Sequence, residues 1–473
     1  MDRLEKNTII RNYIFDQAKK KVDKATKGNM PAPYKIIDVL KNNYGKNKSL
    51  YLINESKAFA DLIETNESKS LIGLFTGSSE VKKHNYGKPK EVSNLTVLGA
   101  GLMGSGIAEV SCNKFDVILK DQIEDAFNNI KLKEDSKNKI TFLNDNSNNL
   151  NILNNSEFVI EAIYEDLNVK KNVLETTNKF NDNIMFASNT SAIPIEDIAK
   201  DSKNPENVIG IHYFSPVQKM PLVEIIPHKD TSDLTISTAY DIVSRQGKTP
   251  ILVKDVPGFF VNRCLAPLLV EIPELLLQGV KINDIEEAMK EFGMPVGPLT
   301  LSDEVGIDIS KHVSDLMSKS DLGVRMTGDT SLISEMIDNN WLGRKSGKGF
   351  YKYEGKDKVI NLDLINLIRD KIGDKATNID KKEIQMRLIG KYINEAVYCL
   401  QNNIIKSPIE GDIGSVFGIG FPPHLGGPFR MLDSYGLDNF CNEMNILSEK
   451  YGKQFEPAPL LNEYSEKNIK FYN

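Results

Sequence analysis

Five histidines occur among the 473 residues. One of them, His212 in VIGIHYFSPV, closes an apolar run that reads as a strand. Twelve positions on, Glu224 stands inside a second such run, PLVEIIP. Imidazole is the usual acceptor of a hydroxyl proton near neutral pH. A buried carboxylate on its other ring nitrogen would fix the tautomer and stabilise the imidazolium. The pair suits removal of a proton from an alcohol while hydride leaves the same carbon. For a lone histidine the plainer alternative is a core imidazole bonded to backbone; Glu224 and the glycine loop described below favour catalysis.

Four further side chains fit around such a base. Ser191, in FASNTSAI, follows another apolar run, and its hydroxyl could hold a substrate oxygen; a turn or helix-cap serine is the alternative. Asn262, just after PGFFV, could polarise a carbonyl oxygen, or it could simply cap a helix start. Glu165 and Lys170, in VIEAIYEDLNVKKNVL, are placed to meet a nicotinamide ribose, against the alternative of a solvated helix face.

These groups need a scaffold and an electron acceptor, and residues 96–121 supply both. Gly99, Gly101 and Gly104 form G-x-G-x-x-G directly after an apolar run, with Leu102 and Met103 between them. The first glycine permits a tight turn, the second lets backbone approach a pyrophosphate, and the third lets helix pack on strand. Asp121 follows Gly99 by 22 positions, at the end of the next apolar run. A carboxylate there takes both ribose hydroxyls and repels a 2′-phosphate, so NAD is expected rather than NADP.

Stepping outward, residues 1–90 read as helices with basic stretches. Residues 91–253 alternate strand and helix, with strands expected at 95–98, 117–119, 158–160, 184–187, 208–213 and 251–253. This pattern implies a Rossmann-type, doubly wound α/β sheet. Residues 133–155 are polar and Asn- and Lys-rich, and read as loop despite the apolar patch 140–143. From Pro257 the pattern turns helical and repeats itself. Pro298, Asp303, Gly306 and Asp308 recur as Pro428, Asp433, Gly436 and Asp438, each 130 positions later. LVEIPELLLQGV likewise answers INEAVYCLQNNI. The expected result is a duplicated all-α region, with units at 254–360 and 361–473, packed as a pseudo-twofold pair. Pro273 falls inside an expected helix and should kink or break it. GRKSGKGF has the wrong spacing for a phosphate-binding P-loop and reads as a basic turn before an aromatic strand at 350–353.

Composition excludes several classes. Hydrophobic residues make up 40% and charged residues 26%, an ordinary globular balance. A net charge of −6 gives no electrostatic reason to expect nucleic acid or membrane binding. Cys112, Cys264, Cys399 and Cys441 contain no CxxC, which fits a reducing compartment and no zinc site. The N-terminus is lysine-rich but carries Asp2 and Glu5, a poor mitochondrial presequence.

Seven ordered segments carry a resemblance to a known family. They are LGAGLMGSGIAEVS, FASNTSAIPI, IGIHYFSPVQKMPLVEII, VKDVPGFFVNRCLAP, FGMPVGPLTLSDEVGIDISKHV, LGRKSGKGFYKY and GDIGSVFGIGFPPHLGGPFR. With the final KFYN, they make the chain similar to the L-3-hydroxyacyl-CoA dehydrogenases. The resemblance is closest to the dehydrogenase half of the alpha subunit of the mitochondrial trifunctional protein and of bacterial fatty-acid-oxidation complexes. It implies oxidation of an L-3-hydroxyacyl-CoA to the 3-ketoacyl-CoA in β-oxidation. His212 and Glu224 would be the catalytic pair, with Ser191 and Asn262 on the substrate. Gly99, Gly101, Leu102, Met103, Gly104, Asp121, Glu165 and Lys170 would hold NAD. Residues 1–90 resemble the tail of an enoyl-CoA hydratase domain and its linker. The hydratase's paired glutamates lie outside that tail, so no hydratase activity is expected. The tail could instead dock hydratase or thiolase chains, which makes a scaffold subunit the alternative reading. The family's helical arm after Asp121 looks shortened; Lys131, Lys133, Lys137 and Lys139 could meet CoA phosphates or be a solvated charge run. The resemblance points to the mitochondrial matrix in a eukaryote, with the cytoplasm as the alternative.

Overall fold

The computed structural model describes residues 8–123, 126–127, 130, 132–144, 150–355 and 357–472. Among the described residues the first elements are four helices: α1 (Thr8–Thr26), α2 (Pro31–Asn43), α3 (Lys48–Ile63) and α4 (Asn66–Glu80). Asn47 and Thr65 cap the last two by accepting from Leu50 N and Ser68 N. Gly73 and Gly77 let α4 lie directly on the C-terminal region, where added Cβ atoms would meet Arg430 and Ile409.

The sheet follows. Its strands are β1 (Asn94–Leu98), β2 (Asp116–Asp121), β3 (Ile140–Asn144), β4 (Phe158–Glu161), β5 (Met185–Ser188), β6 (Val208–Tyr213), β7 (Leu222–Ile226) and β8 (Thr249–Leu252). The intervening helices are α5 (Leu102–Ser111), α6 (Glu134–Lys137), α7 (Leu167–Phe180), α8 (Ile195–Ala199) and α9 (Asp233–Arg245). Strand order is β3-β2-β1-β4-β5-β6-β7-β8, parallel except for the antiparallel β6–β7 pair. Every residue of β4 through β7 is buried, as expected of apolar runs covered on both faces. The order reverses between β1 and β4, and doubly wound sheets bind ligands at such a switch point.

One expectation fails here. The segment read as loop contains α6 and a true strand, β3, which pairs with β2 from Val117–Ile140 to Asp121–Asn144. An edge strand packs on a single neighbour and needs only the apolar patch 140–143, so its polar flanks hid it.

The helical region comprises α10 (Val261–Leu277), α11 (Ile282–Phe292), α12 (Pro298–Val305), α13 (Ile307–Ser318), α14 (Ser331–Asp338), α15 (Leu362–Ile372), α16 (Lys381–Gln401), α17 (Pro408–Ile419), α18 (Pro428–Tyr435), α19 (Leu437–Tyr451) and α20 (Pro459–Glu466). A short hairpin, β9 (Tyr351–Glu354) and β10 (Asp357–Ile360), separates the two copies. The repeat extends to contacts. Asp303 accepts from Phe350 N and Tyr351 N at 2.9 and 3.0 Å; Asp433 accepts from Phe471 N and Tyr472 N at 2.9 and 2.8 Å. Gly306 and Gly436 turn the chain at φ of 105° and 93°, a conformation that favours glycine.

Of the kink or break expected at Pro273, the break does not occur: α10 runs unbroken through both Pro267 and Pro273. Thirteen of its seventeen residues are buried, so packing on all sides holds the helix where two N–H groups are missing. Among the described residues, no helix is long and apolar enough to cross a membrane.

Candidate active site

β6 and β7 are antiparallel, and their register sets His212 directly opposite Glu224. Cross-strand partners share a face, so strand geometry alone brings the two side chains together. His212 Nδ1 lies 2.7 Å from Glu224 Oε2. The other carboxylate oxygen, Oε1, accepts from Phe260 N at 3.1 Å and Val261 N at 3.0 Å, at the start of α10. A helix start offers unpaired N–H groups and positive potential, so the fully buried Glu224 is held as an acceptor. Nδ1 must then carry the proton and donate it to Oε2. That leaves Nε2 as the free lone pair, and among the described residues it has no hydrogen-bond partner.

The surroundings keep this pair in place. Phe214 and Phe259 stand 4.5 and 5.8 Å from the imidazole centroid. Phe259 has φ of 53°, a left-handed conformation costing about 1–3 kcal/mol in a bulky residue. This turn aims the Phe260 and Val261 amides at Glu224. The connection after β6 is pinned by buried Lys248, whose ammonium donates to Met220 O at 2.7 Å and to Val217 O. Burial pulls the Lys248 ammonium below its usual range. Val217 in turn sits against Gly106, and Gln218 donates to Glu109 at 2.7 Å, so the segment after β6 is fastened to α5.

The glycine loop joins β1 to α5. Gly99 has φ of 95°, and a Cβ there would lie 2.5 Å from Ala162 O. A Cβ on Gly104 would collide with the Gly99 carbonyl. Gly101 differs: an added Cβ meets no protein atom within 4 Å, so this backbone faces open space at the helix start. Gly101 is the N-cap of α5 and supplies no side-chain cap, leaving the first N–H groups available to an anion. Leu102 is exposed and Met103 half-buried beside it. Asp121, the last residue of β2, accepts from Ala100 N at 2.6 Å and Ile123 N at 2.9 Å, so its carboxylate also shapes the loop. A dinucleotide fits this cradle: open backbone, free N–H groups and a partly exposed carboxylate at the next strand end.

Ser191 and Asn262 lie together, with Asn262 Nδ2 donating to Ser191 O at 3.2 Å. Glu165 accepts from Thr190 Oγ1 at 2.5 Å and from Ser191 N at 3.1 Å. Lys170 is buried, not solvated. It lies 2.9 Å from both Glu161 oxygens and 3.1 Å from Glu165 Oε2. Burial pushes the Glu161 carboxyl up, and Lys170 and Ser188 oppose the shift. Thr190 and the Phe260 and Val261 amides carried no sequence signal of their own. Only Glu161 offered a hint, as an acid directly after an apolar strand. The lysines considered for CoA are not gathered: Lys137 pairs with Glu134, Lys139 donates to Asn113, Lys133 precedes α6, and Lys131 lies outside the described residues.

A dinucleotide cradle at the switch point of a doubly wound sheet, followed by a helical domain that meets it at a buried His–Glu pair, defines a two-domain nicotinamide-dependent dehydrogenase. The chain belongs to the 3-hydroxyacyl-CoA dehydrogenase family. Residues 94–256 match that family's NAD binding domain, and residues 258–353 and 384–470 match its C-terminal domain. The fatty acid oxidation complex subunit alpha of Vibrio vulnificus (strain CMCP6) is 40% identical over 98% of this chain and 68% of its own length. That of Vibrio cholerae (El Tor Inaba N16961) is 42% identical over 100% of this chain and 69% of its own. Among solved structures, (S)-3-hydroxybutyryl-CoA dehydrogenase from Ralstonia eutropha is 30% identical, with a TM-score of 0.50 over 56% of this chain and 100% of its own. The 3-hydroxybutyryl-CoA dehydrogenase of Escherichia coli K12 shares the fold over 80% of this chain and 99% of its own, at 22% identity and a TM-score of 0.67. With both of that family's domains present, the chain is an NAD-dependent 3-hydroxyacyl-CoA dehydrogenase. The relatives named here are bacterial and lend the mitochondrial expectation no support.

Proposed function

We propose that this chain oxidises L-3-hydroxyacyl-CoA at C3, with His212 Nε2 taking the hydroxyl proton. Bound NAD supplies the hydride acceptor. Glu224 keeps Nδ1 protonated and steadies the imidazolium that forms. Ser191 holds the substrate oxygen beside the imidazole, and the Asn262 amide polarises the acyl carbonyl. Phe214 and Phe259 exclude water from the proton being moved. The observation that carries the reading is the 2.7 Å His212–Glu224 contact, locked from behind by two backbone amides. Loss of such a base costs roughly 10²–10⁴ in rate. The test is direct: adding acetoacetyl-CoA to enzyme and NADH should make NADH absorbance fall, and a flat trace rejects the reading. The 473 residues are expected not to hydrate crotonyl-CoA.

A second reading adds to the first. Helices α1–α4 carry large apolar side chains in solvent, among them Tyr13 at 64%, Phe59 at 66% and Phe75 at 76% exposure. Such a surface suits a partner chain of a β-oxidation complex, hydratase or thiolase. Co-purification from native extract supports it, and elution alone at monomer mass counts against it.

A further inference from the structure

Glu165 belongs to two hydrogen-bonded sets at once. On one side its Oε2 faces Lys170, itself buried and held by both oxygens of Glu161. On the other its Oε1 accepts from the Thr190 hydroxyl and the Ser191 amide, and the Ser191 carbonyl accepts from Asn262. The path starts at the end of β4, passes through α7 and the turn after β5, and ends on the first turn of α10. It therefore runs from the half that carries the nucleotide loop to the helical region.

The members differ in exposure, and the difference assigns their roles. Glu161 and Lys170 are buried to 0% and 1% exposure, while the Glu165 side chain keeps 36%. Glu165 is thus the charged member that a ligand in the cleft can reach. Thr190 is 1% exposed and so lies behind the surface of the cleft. Its hydroxyl oxygen also accepts from Ala192 N at 3.3 Å and Ile193 N at 3.0 Å, so it fixes the turn that presents Ser191. Whatever orders the Glu165 carboxylate orders that turn through the Thr190 hydroxyl and the Ser191 amide.

We propose that Glu165 and Thr190 couple the two binding events, so that NAD and acyl-CoA bind cooperatively, with Thr190 as a positioning residue. The inference rests on the proposed function, in which Glu165 faces the nucleotide and Ser191 and Asn262 face the acyl group. The first ligand bound fixes the Glu165–Thr190–Ser191 arrangement, and the second finds it already ordered.

Calorimetry on the full chain tests this with NAD and acetoacetyl-CoA, both oxidised and therefore unable to react. In the unaltered protein each ligand should tighten the other by the same factor, about 5–150-fold. Thr190→Val keeps shape and removes the hydroxyl. It should leave NAD affinity alone within about twofold and cut the coupling factor by more than half, with the Ser191 amide carrying the remainder. Thr190→Ser should restore it, and Thr190→Ala serves where the valine variant fails to fold. An unaltered protein without coupling overturns the inference, as does Thr190→Val with full coupling. Failure of either ligand to bind the unaltered protein overturns the proposed function itself, and the coupling with it.

Discussion

Arg263 and Glu395 form a buried ion pair, Nε to Oε1 at 2.8 Å, and Arg387 with Glu271 forms its counterpart. Each arginine lies eight positions before the glutamate of its own copy, yet pairs with the glutamate of the other. This reciprocal exchange clamps α10 against α16. Because α10 begins with the amides on Glu224 and with Asn262, the second helical unit helps hold the site.

Glu395→Gln should therefore be severe. Glu395 anchors Arg263 and also Arg325, 2.6 Å from its other oxygen. Arg263 would keep only the largely exposed Asp321, and breaking a buried pair from one side costs roughly 3–5 kcal/mol. Urea denaturation should show a lowered midpoint that, multiplied by the slope m, amounts to a loss of that size. Replacing Arg263 and Glu395 together by Met and Leu should cost less than the single change; a larger loss in the double variant argues against a buried pair.

The glycines of the loop separate folding from binding. Gly104→Ala places a methyl group on the Gly99 carbonyl and should lower the melting temperature markedly. Gly101→Ala meets no protein atom, so the fold should stay intact while NADH affinity falls. Thermal melts beside NADH fluorescence titrations read both effects. Equal losses of stability in the two variants would contradict the cradle.

Acid should weaken the clamp through Asp321. The Arg263 guanidinium, bonded to it at 2.7 and 3.0 Å, holds its carboxyl below the ordinary 3.8. Between the folded value and 3.8 the unfolded chain binds more protons, so this contribution is present above 3.8 and lost as pH falls through the folded value. Asp321 is largely exposed, which limits the effect to about 1 kcal/mol. The gap in melting temperature between the unaltered protein and Asp321→Asn should be open near neutral pH and close in strong acid. A gap that widens in acid would reverse the assignment.

Much of this was legible beforehand, and the reasons are specific. The strand–loop–helix–strand–Asp pattern is local in sequence, so the cradle from Gly99 to Asp121 follows from one continuous stretch. The repeat at a spacing of 130 exposed the duplicated helical region. What stayed hidden depends on long-range contact. Strand β3 shows only as part of an eight-stranded sheet. Pro273 breaks a helix by local rules but not one packed on all sides. The amides of Phe260 and Val261 have no side-chain identity to read, and Thr190 is one hydroxyl among many. Lys170, read against a solvated face, lies buried between two carboxylates because α7 turns it inward.

The central claim is that the free nitrogen of His212, set by Glu224, removes the substrate's hydroxyl proton. His212→Gln tests it by steady-state rate with acetoacetyl-CoA and NADH, alongside NADH binding. The account predicts a fall in kcat of roughly 10²–10⁴ with the NADH dissociation constant unchanged. A variant that folds, binds NADH and turns over at the original rate would contradict it.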